Sequence, residues 1–171
     1  METWTNRYRT PLANTSVYYW DEMLLNPETM VSKTSNSNKV FIYSDGASRG
    51  NPGEGAAGVM MWDSNGNPVG RISLYLGELT NNQAEYKAVL AGLLTSYVQG
   101  FEQIECRLDS ELVVKQLNGE YKIKDRELQA LASQVNKAVT RLPKVTFVHV
   151  DRKSNVQADN LANEILDLRE S

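Results

Sequence analysis

Asp45 and Asp109 each close a short apolar run, in IYSD and CRLD, and each is followed by a small residue. If these runs form adjacent parallel strands, the two carboxylates meet at one edge of a sheet, where open α/β sheets bind ligands. Glu85 lies beside Ala88, Val89 and Gly92 on one side of a helical pattern, and Asp159 beside Ala158, Ala162 and Leu166 in the last one. Both acids fall on helix faces expected to pack inward, where a carboxylate is costly unless something pairs with it. The chain has one histidine and one cysteine, so neither type can cluster around these acids. An all-oxygen donor set suits a hard cation, Mg2+ before Mn2+, that keeps some positions for water and substrate phosphate. Two such ions roughly 4 Å apart can clamp an in-line displacement at phosphorus. Asp109 alone reads as an ordinary helix cap, because Asp-Ser precedes a helical run. Four acids at these places point instead to metal-dependent phosphoryl chemistry.

The elements that must position them follow from patterning. Val40 to Ser44, Ala56 to Trp62 and Val69 to Leu76 read as strands, with Asn65-Gly66 as the hairpin turn between the last two. Gly53 to Gly58 spells GEGAAG, a GxGxxG pattern, but a strand and not a helix follows it, so no dinucleotide or other nucleotide cofactor is expected there. Thr80 to Gln83 fits a capping box for a helix that Gly100 ends. Ile104 to Leu108 is a fourth strand, followed by a helix from Ser110 to Asn118 that Gly119 stops. Asp125 caps the next helix, which runs to Pro143; Val145 to Val150 is the fifth strand; Ser154 with Gln157 makes a capping box for the last helix. The order βββαβααβα predicts an α/β domain with a mixed five-stranded sheet and helices on both faces.

At 171 residues and 41% hydrophobic content the chain can bury one full core. Residues 39–171 are the expected domain, preceded in residues 1–38 by an aromatic segment and a polar stretch, SKTSNSNK, of linker composition. Trp4, Tyr8, Tyr18, Tyr19 and Trp20 in that segment are expected to pack on the domain in preference to stacking, with Arg7 and Arg9, on nucleic acid. The balance of 18 basic against 21 acidic residues, net −3, excludes holding nucleic acid by overall charge. One cysteine, no membrane-length apolar run and no signal-type apolar segment point to a cytoplasmic protein without a membrane partner, with a monomer favoured.

Residues 39–169 resemble type 1 ribonuclease H through YSDGASRGNPG, LTNNQAEYKAVLAGL, LDSELVVKQLNGEY and RKSNVQADNLAN in that order. The resemblance implies a ribonuclease H-like fold and an endoribonuclease that hydrolyses the RNA strand of RNA/DNA hybrids with two metal ions. It maps the metal-binding catalytic acids onto Asp45, Glu85, Asp109 and Asp159, already singled out by position. It also implies hybrid contacts at Gly46, Asn51, Asn81, Asn82, Gln83 and Gln116 in the shallow minor groove, and a DNA-strand phosphate at Thr80, whose hydroxyl could equally cap its helix.

Two departures matter. The loop before Asp159 reads Asp151-Arg152-Lys153-Ser154 and lacks the histidine many members carry, so Arg152 is the candidate near the site, while His149 reads as a strand side chain. The basic protrusion of some members is also absent; Lys115, Lys122, Lys124 and Arg126 stand there, with Lys122 and Lys124 as candidate DNA-strand contacts or a solvated charged face. Glu54 reads as solvated. The alternative is a catalytically silent module of the same fold that binds nucleic acid or a protein partner, for which loss of an acid would be the sign.

Overall fold

A computed structural model of the chain describes residues 16–19 and 37–171. Trp4, Arg7, Tyr8, Arg9, Trp20 and most of the polar stretch, residues 32–36, lie outside the described residues. The strands are β1 (Ser16–Tyr19), β2 (Lys39–Gly50), β3 (Gly53–Asp63), β4 (Pro68–Leu79), β5 (Gln103–Leu108) and β6 (Lys144–His149). The helices are α1 (Asn81–Gln99), α2 (Glu111–Leu117), α3 (Arg126–Thr140) and α4 (Val156–Glu170).

The sheet runs β1-β4-β3-β2-β5-β6. Its β4-β3-β2-β5-β6 part is the expected five-stranded mixed sheet: β3 is antiparallel to β2 and β4, and β5 is parallel to β2 and β6. The sequence reading did not anticipate β1, which adds a parallel edge beside β4 with Val17 opposite Ser73. Its residues, SVYY, have the β-branched and aromatic character that suits a strand, but four residues are too few for a periodicity signal.

The strands that flank the glycine-rich stretch run further into it than their apolar patterns predicted. Pairing continues from Val40 opposite Asp63 to Gly50 opposite Gly53, so SDGASRGNPGEG is a long hairpin arm and its bend is confined to Asn51-Pro52. Gly58 belongs to this arm because α4 crosses it: a side chain there would meet the Ala158 carbonyl oxygen at 2.0 Å. The turn after β3 is fixed by Asp63, whose carboxylate accepts the backbone N–H groups of Asn65 and Asn67.

Helix boundaries follow their caps. Thr80 and Gln83 form the expected capping box, with the Thr80 hydroxyl accepting Gln83 N–H and the Gln83 side chain accepting Thr80 N–H. Asp125 caps α3 through Leu128 N–H, as expected. The capping box expected of Ser154 and Gln157 does not form. Arg152–Asn155 is instead a turn of 3-10 helix capped by Asp151, and α4 starts at Val156. Asp151, the stronger acceptor, takes both the backbone N–H and the hydroxyl of Ser154. Helices α1 and α3 cover one sheet face and α4 part of the other, around a core that includes Ile42, Val59, Ile72, Leu74, Tyr86 and Leu93.

Candidate active site

Strands β2 and β5 pair with Tyr43 opposite Arg107, so Asp45 and Asp109 follow two residues later on parallel neighbours. This is the juxtaposition the two apolar runs predicted. Glu85 is brought in by α1, which can approach β2 closely because position 46 is glycine: a Cβ there would lie 2.2 Å from the Glu85 backbone nitrogen. One carboxylate oxygen from each of Asp45, Glu85 and Asp109 lies within 4.8 Å of the others. Asp159, in the first turn of α4, lies near enough to Asp45 to raise its proton affinity.

The electrostatics are those of a site short of positive charge. Burial, the neighbouring Asp159 carboxyl and the nearby Asp109 charge push the Asp45 carboxyl up to about 8. Burial, with Asp45 and Asp109 beside it, also raises Glu85 well above the usual carboxylate range. Glu85 Oε2 is buried with no hydrogen-bond partner, which is costly for a carboxylate oxygen. Crowded acids, an orphaned buried oxygen and an all-oxygen donor set fit a divalent cation, which would relieve the repulsion and lower both proton affinities.

Two positioning residues escaped the sequence reading. Asn155 is buried and donates from Nδ2 to the Ser44 carbonyl oxygen at 2.9 Å, which fastens the start of α4 to β2 beside Asp45. Asn163 donates from Nδ2 to the Asp159 carboxylate and to its carbonyl oxygen, both at 3.0 Å. Asn163 had a signal in its spacing of one helical turn from Asp159; Asn155 had none, because its partner is 111 residues away.

The polar residues near the acids occupy distinct places. Asn51, at the tip of the hairpin arm, accepts the Asn81 N–H at 3.1 Å and ties the arm to the start of α1. Asn82 follows in the same turn, and the Gln83 amide donates to Glu127 on α3. Gln116 accepts from the Tyr86 hydroxyl at 2.8 Å, and burial pushes that phenol up to about 12. Lys115 is engaged by Glu111 at 3.0 Å and lies over the Tyr121 ring, while Lys122 and Lys124 are exposed in the link between α2 and α3. Arg152 is exposed in the turn ahead of α4, and His149 is the exposed last residue of β6. Glu54 is exposed, as expected, and accepts from Tyr75 and Arg169, each at 3.0 Å.

Comparison with known proteins fits this geometry. Residues 43–165 match the family model described as reverse transcriptase-like. The chain is 40% identical over 139 residues to ribonuclease HI of Halobacterium salinarum, covering 81% of this chain and 70% of that protein. The chain belongs to the type 1 ribonuclease H family. The crystal structure of ribonuclease H1 from Halobacterium salinarum superposes with a TM-score of 0.74 at 42% identity, covering 75% of this chain and 98% of that one. The ribonuclease H1 LC11, solved in complex with an RNA/DNA hybrid, gives a TM-score of 0.74 at 39% identity, covering 77% and 99%. The ribonuclease H fold thus accounts for the βββαβααβα core, and β1 is an addition at its edge. Among the described residues no helix is long and apolar enough to cross a membrane.

Proposed function

We propose that this ribonuclease H hydrolyses the RNA strand of RNA/DNA hybrids endonucleolytically, with Asp45, Glu85, Asp109 and Asp159 as its metal-binding catalytic acids. The observation that carries the reading is the convergence of Asp45, Glu85 and Asp109 oxygens within 4.8 Å, with an unpartnered Glu85 oxygen among them. Mg2+ is the ion assigned, with Mn2+ as a substitute, because carboxylate oxygens beside substrate phosphate suit a small hard cation. When bound as a pair, the ions supply an activated water and neutralise charge on the leaving oxygen. The protein's own part is positional. Asp45 and Asp109 are fixed by the β2–β5 register and Glu85 by the Gly46 contact, while Asp159 is aimed by Asn163 and by the fastening of α4 at Asn155.

Gly46, Asn51, Asn81, Asn82, Gln83 and Gln116 are assigned to the hybrid's minor groove, where 2′-hydroxyls mark the RNA strand. Thr80 keeps its hydroxyl on the helix cap, and Asn51 and Thr80 engage the Asn81 and Gln83 N–H groups, so a DNA phosphate there would be held chiefly by the Asn82 N–H. Lys122 and Lys124 are assigned to the DNA strand and Arg152 to the margin of the acids. Replacing both lysines by Ala should weaken hybrid binding and flatten the slope of log K against log salt by roughly 1.5; an unchanged slope removes that assignment.

The deciding experiment compares end-labelled RNA/DNA hybrid, single-stranded RNA and duplex DNA with Mg2+, Mn2+ or chelator. The expected result is metal-dependent cutting of the hybrid's RNA strand alone, lost in Asp45→Asn. Tight hybrid binding without any cutting would overturn the enzymatic reading in favour of a binding module.

A further inference from the structure

Below the acids, on the sheet face that α4 leaves open, lies a cavity of about 420 Å3, lined among the described residues by Phe41, Tyr43, Trp62, Arg107, Ser154 and Gln157, with the β3–β4 turn at its rim. That volume is in the range of small-ligand pockets, about 300–1,000 Å3. Its wall is flat and π-rich. The Arg107 guanidinium lies 4.4 Å from the Phe41 ring centroid and 5.3 Å from that of Tyr43. Arg107 also donates through Nε to Glu105 at 2.7 Å and through Nη1 to the Tyr43 hydroxyl at 2.5 Å, so its charge is already balanced. Such a wall suits a neutral heteroaromatic ring better than a phosphate, since stacking needs a face and the Arg107 charge is already engaged by Glu105. At the edge, the Ser154 hydroxyl donates to Asp151 and keeps its lone pairs. The Gln157 amide has no hydrogen-bond partner among the described residues and can present a donor and an acceptor to a base edge.

The cavity lies next to the acids along the sheet: Tyr43 stands two residues before Asp45 and Arg107 two before Asp109 on neighbouring parallel strands. Alternation along the strands puts Tyr43 on the face of Asp45 and Arg107 on that of Asp109. The cavity wall is thus about 7 Å along these strands from the acids, within reach of one nucleotide of a strand lying across them.

We propose that this cavity is a subsite for one unpaired nucleobase of a strand lying across the acids, stacked on the wall that Trp62, Tyr43 and the Arg107 guanidinium form and read by Gln157. The source of the base rests on the hydrolase reading above; the cavity's affinity for a base does not.

The test has two arms. In the first, the full chain in chelator is titrated with adenosine while the indole N–H signal of Trp62, assigned through Trp62→Phe, is followed by NMR. A saturable shift is expected, weakened about fivefold or more in Tyr43→Ala and in Gln157→Ala, with circular dichroism confirming that both variants fold. In the second, cleavage of a blunt hybrid is compared with that of one carrying an unpaired RNA tail; the tailed substrate should show a KM lower by about fivefold, and Gln157→Ala should abolish the difference. Normal cleavage with neither a shift nor a tail preference would overturn the subsite and leave the hydrolase reading intact. A shift without cleavage of any hybrid would keep the base site and overturn the hydrolase reading. A shift with cleavage but no tail preference would make the cavity a free-nucleoside site and overturn its assignment to a strand.

Discussion

On the sheet face covered by α1 and α3, Ile42, Val59, Ile72 and Leu74 are fully buried in a continuous apolar cluster, and Glu85 descends into it from α1. Under α4 the separate apolar cluster is small, Ala56, Ala162, Ile165 and Leu166, and polar fastenings supplement it: Asn155 on Ser44, Ser73 on the Leu161 carbonyl, Arg49 on Asp167 and Arg169 on Glu54. Glu85 is therefore carried by a helix packed on the dry core, and Asp45 and Asp109 by strands whose other face that core covers, whereas Asp159 is carried by a helix whose smaller apolar contact is supplemented by individual hydrogen bonds. Apolar packing is non-directional and tolerates small shifts; hydrogen bonds fix direction and register. The difference divides the site into a rigid part and a separately adjustable part.

The most severe disruption is of the rigid part. If Asp45 holds the metals as proposed, Asp45→Asn should reduce hybrid cleavage by roughly 10^3-fold, because metal ligation stabilises transition-state charge by several kcal/mol. The same change should stabilise the metal-free fold at neutral pH. The folded pKa of Asp45 is raised, so the folded state holds a proton that the unfolded chain releases. Metal-free stability must then fall as pH rises from about 4 to about 8, and Asp45→Asn should flatten that fall in thermal melts with chelator. A melt that is equally pH-dependent in both proteins would refute the raised carboxyl.

Leu74→Ala, in the dry core, should cost about 2–5 kcal/mol in denaturant unfolding while leaving the Mg2+ concentration for half-maximal activity unchanged where the protein is folded. Asn155→Ala should do the reverse in proportion: a smaller loss of about 1–3 kcal/mol, but a requirement for Mg2+ raised about tenfold or more. Equal effects of the two variants on the metal requirement would erase the distinction between the faces. Arg169→Ala removes the Glu54 ion pair and the Tyr75 ring contact at the partly exposed α4 end and should change melting temperature least.

Much of the site was legible because its signals were local. Asp45 and Asp109 close apolar runs, Glu85 and Asp159 sit on helical faces, and Thr80, Gln83 and Asp125 carry cap chemistry that the structure reproduces. Ser154 misled because two acceptors compete for one turn, and the ionised Asp151 outranks a hydroxyl. Glu54 is exposed as expected, but its partners, Tyr75 and Arg169, are 21 and 115 residues away and left no local signal.

Alternation, helical periodicity and capping are written into neighbouring residues, so the sequence by itself determined the order of elements and which acids face inward. Tertiary structure alone decided that β1 closes on β4, that the glycine-rich stretch is a paired arm, and that Asn155 meets Ser44. It also decided that Phe41, Trp62, Arg107 and Gln157 share one cavity. Each of these depends on contacts between segments far apart in the chain, and no local pattern encodes which distant partner a strand edge, an amide or a ring will find.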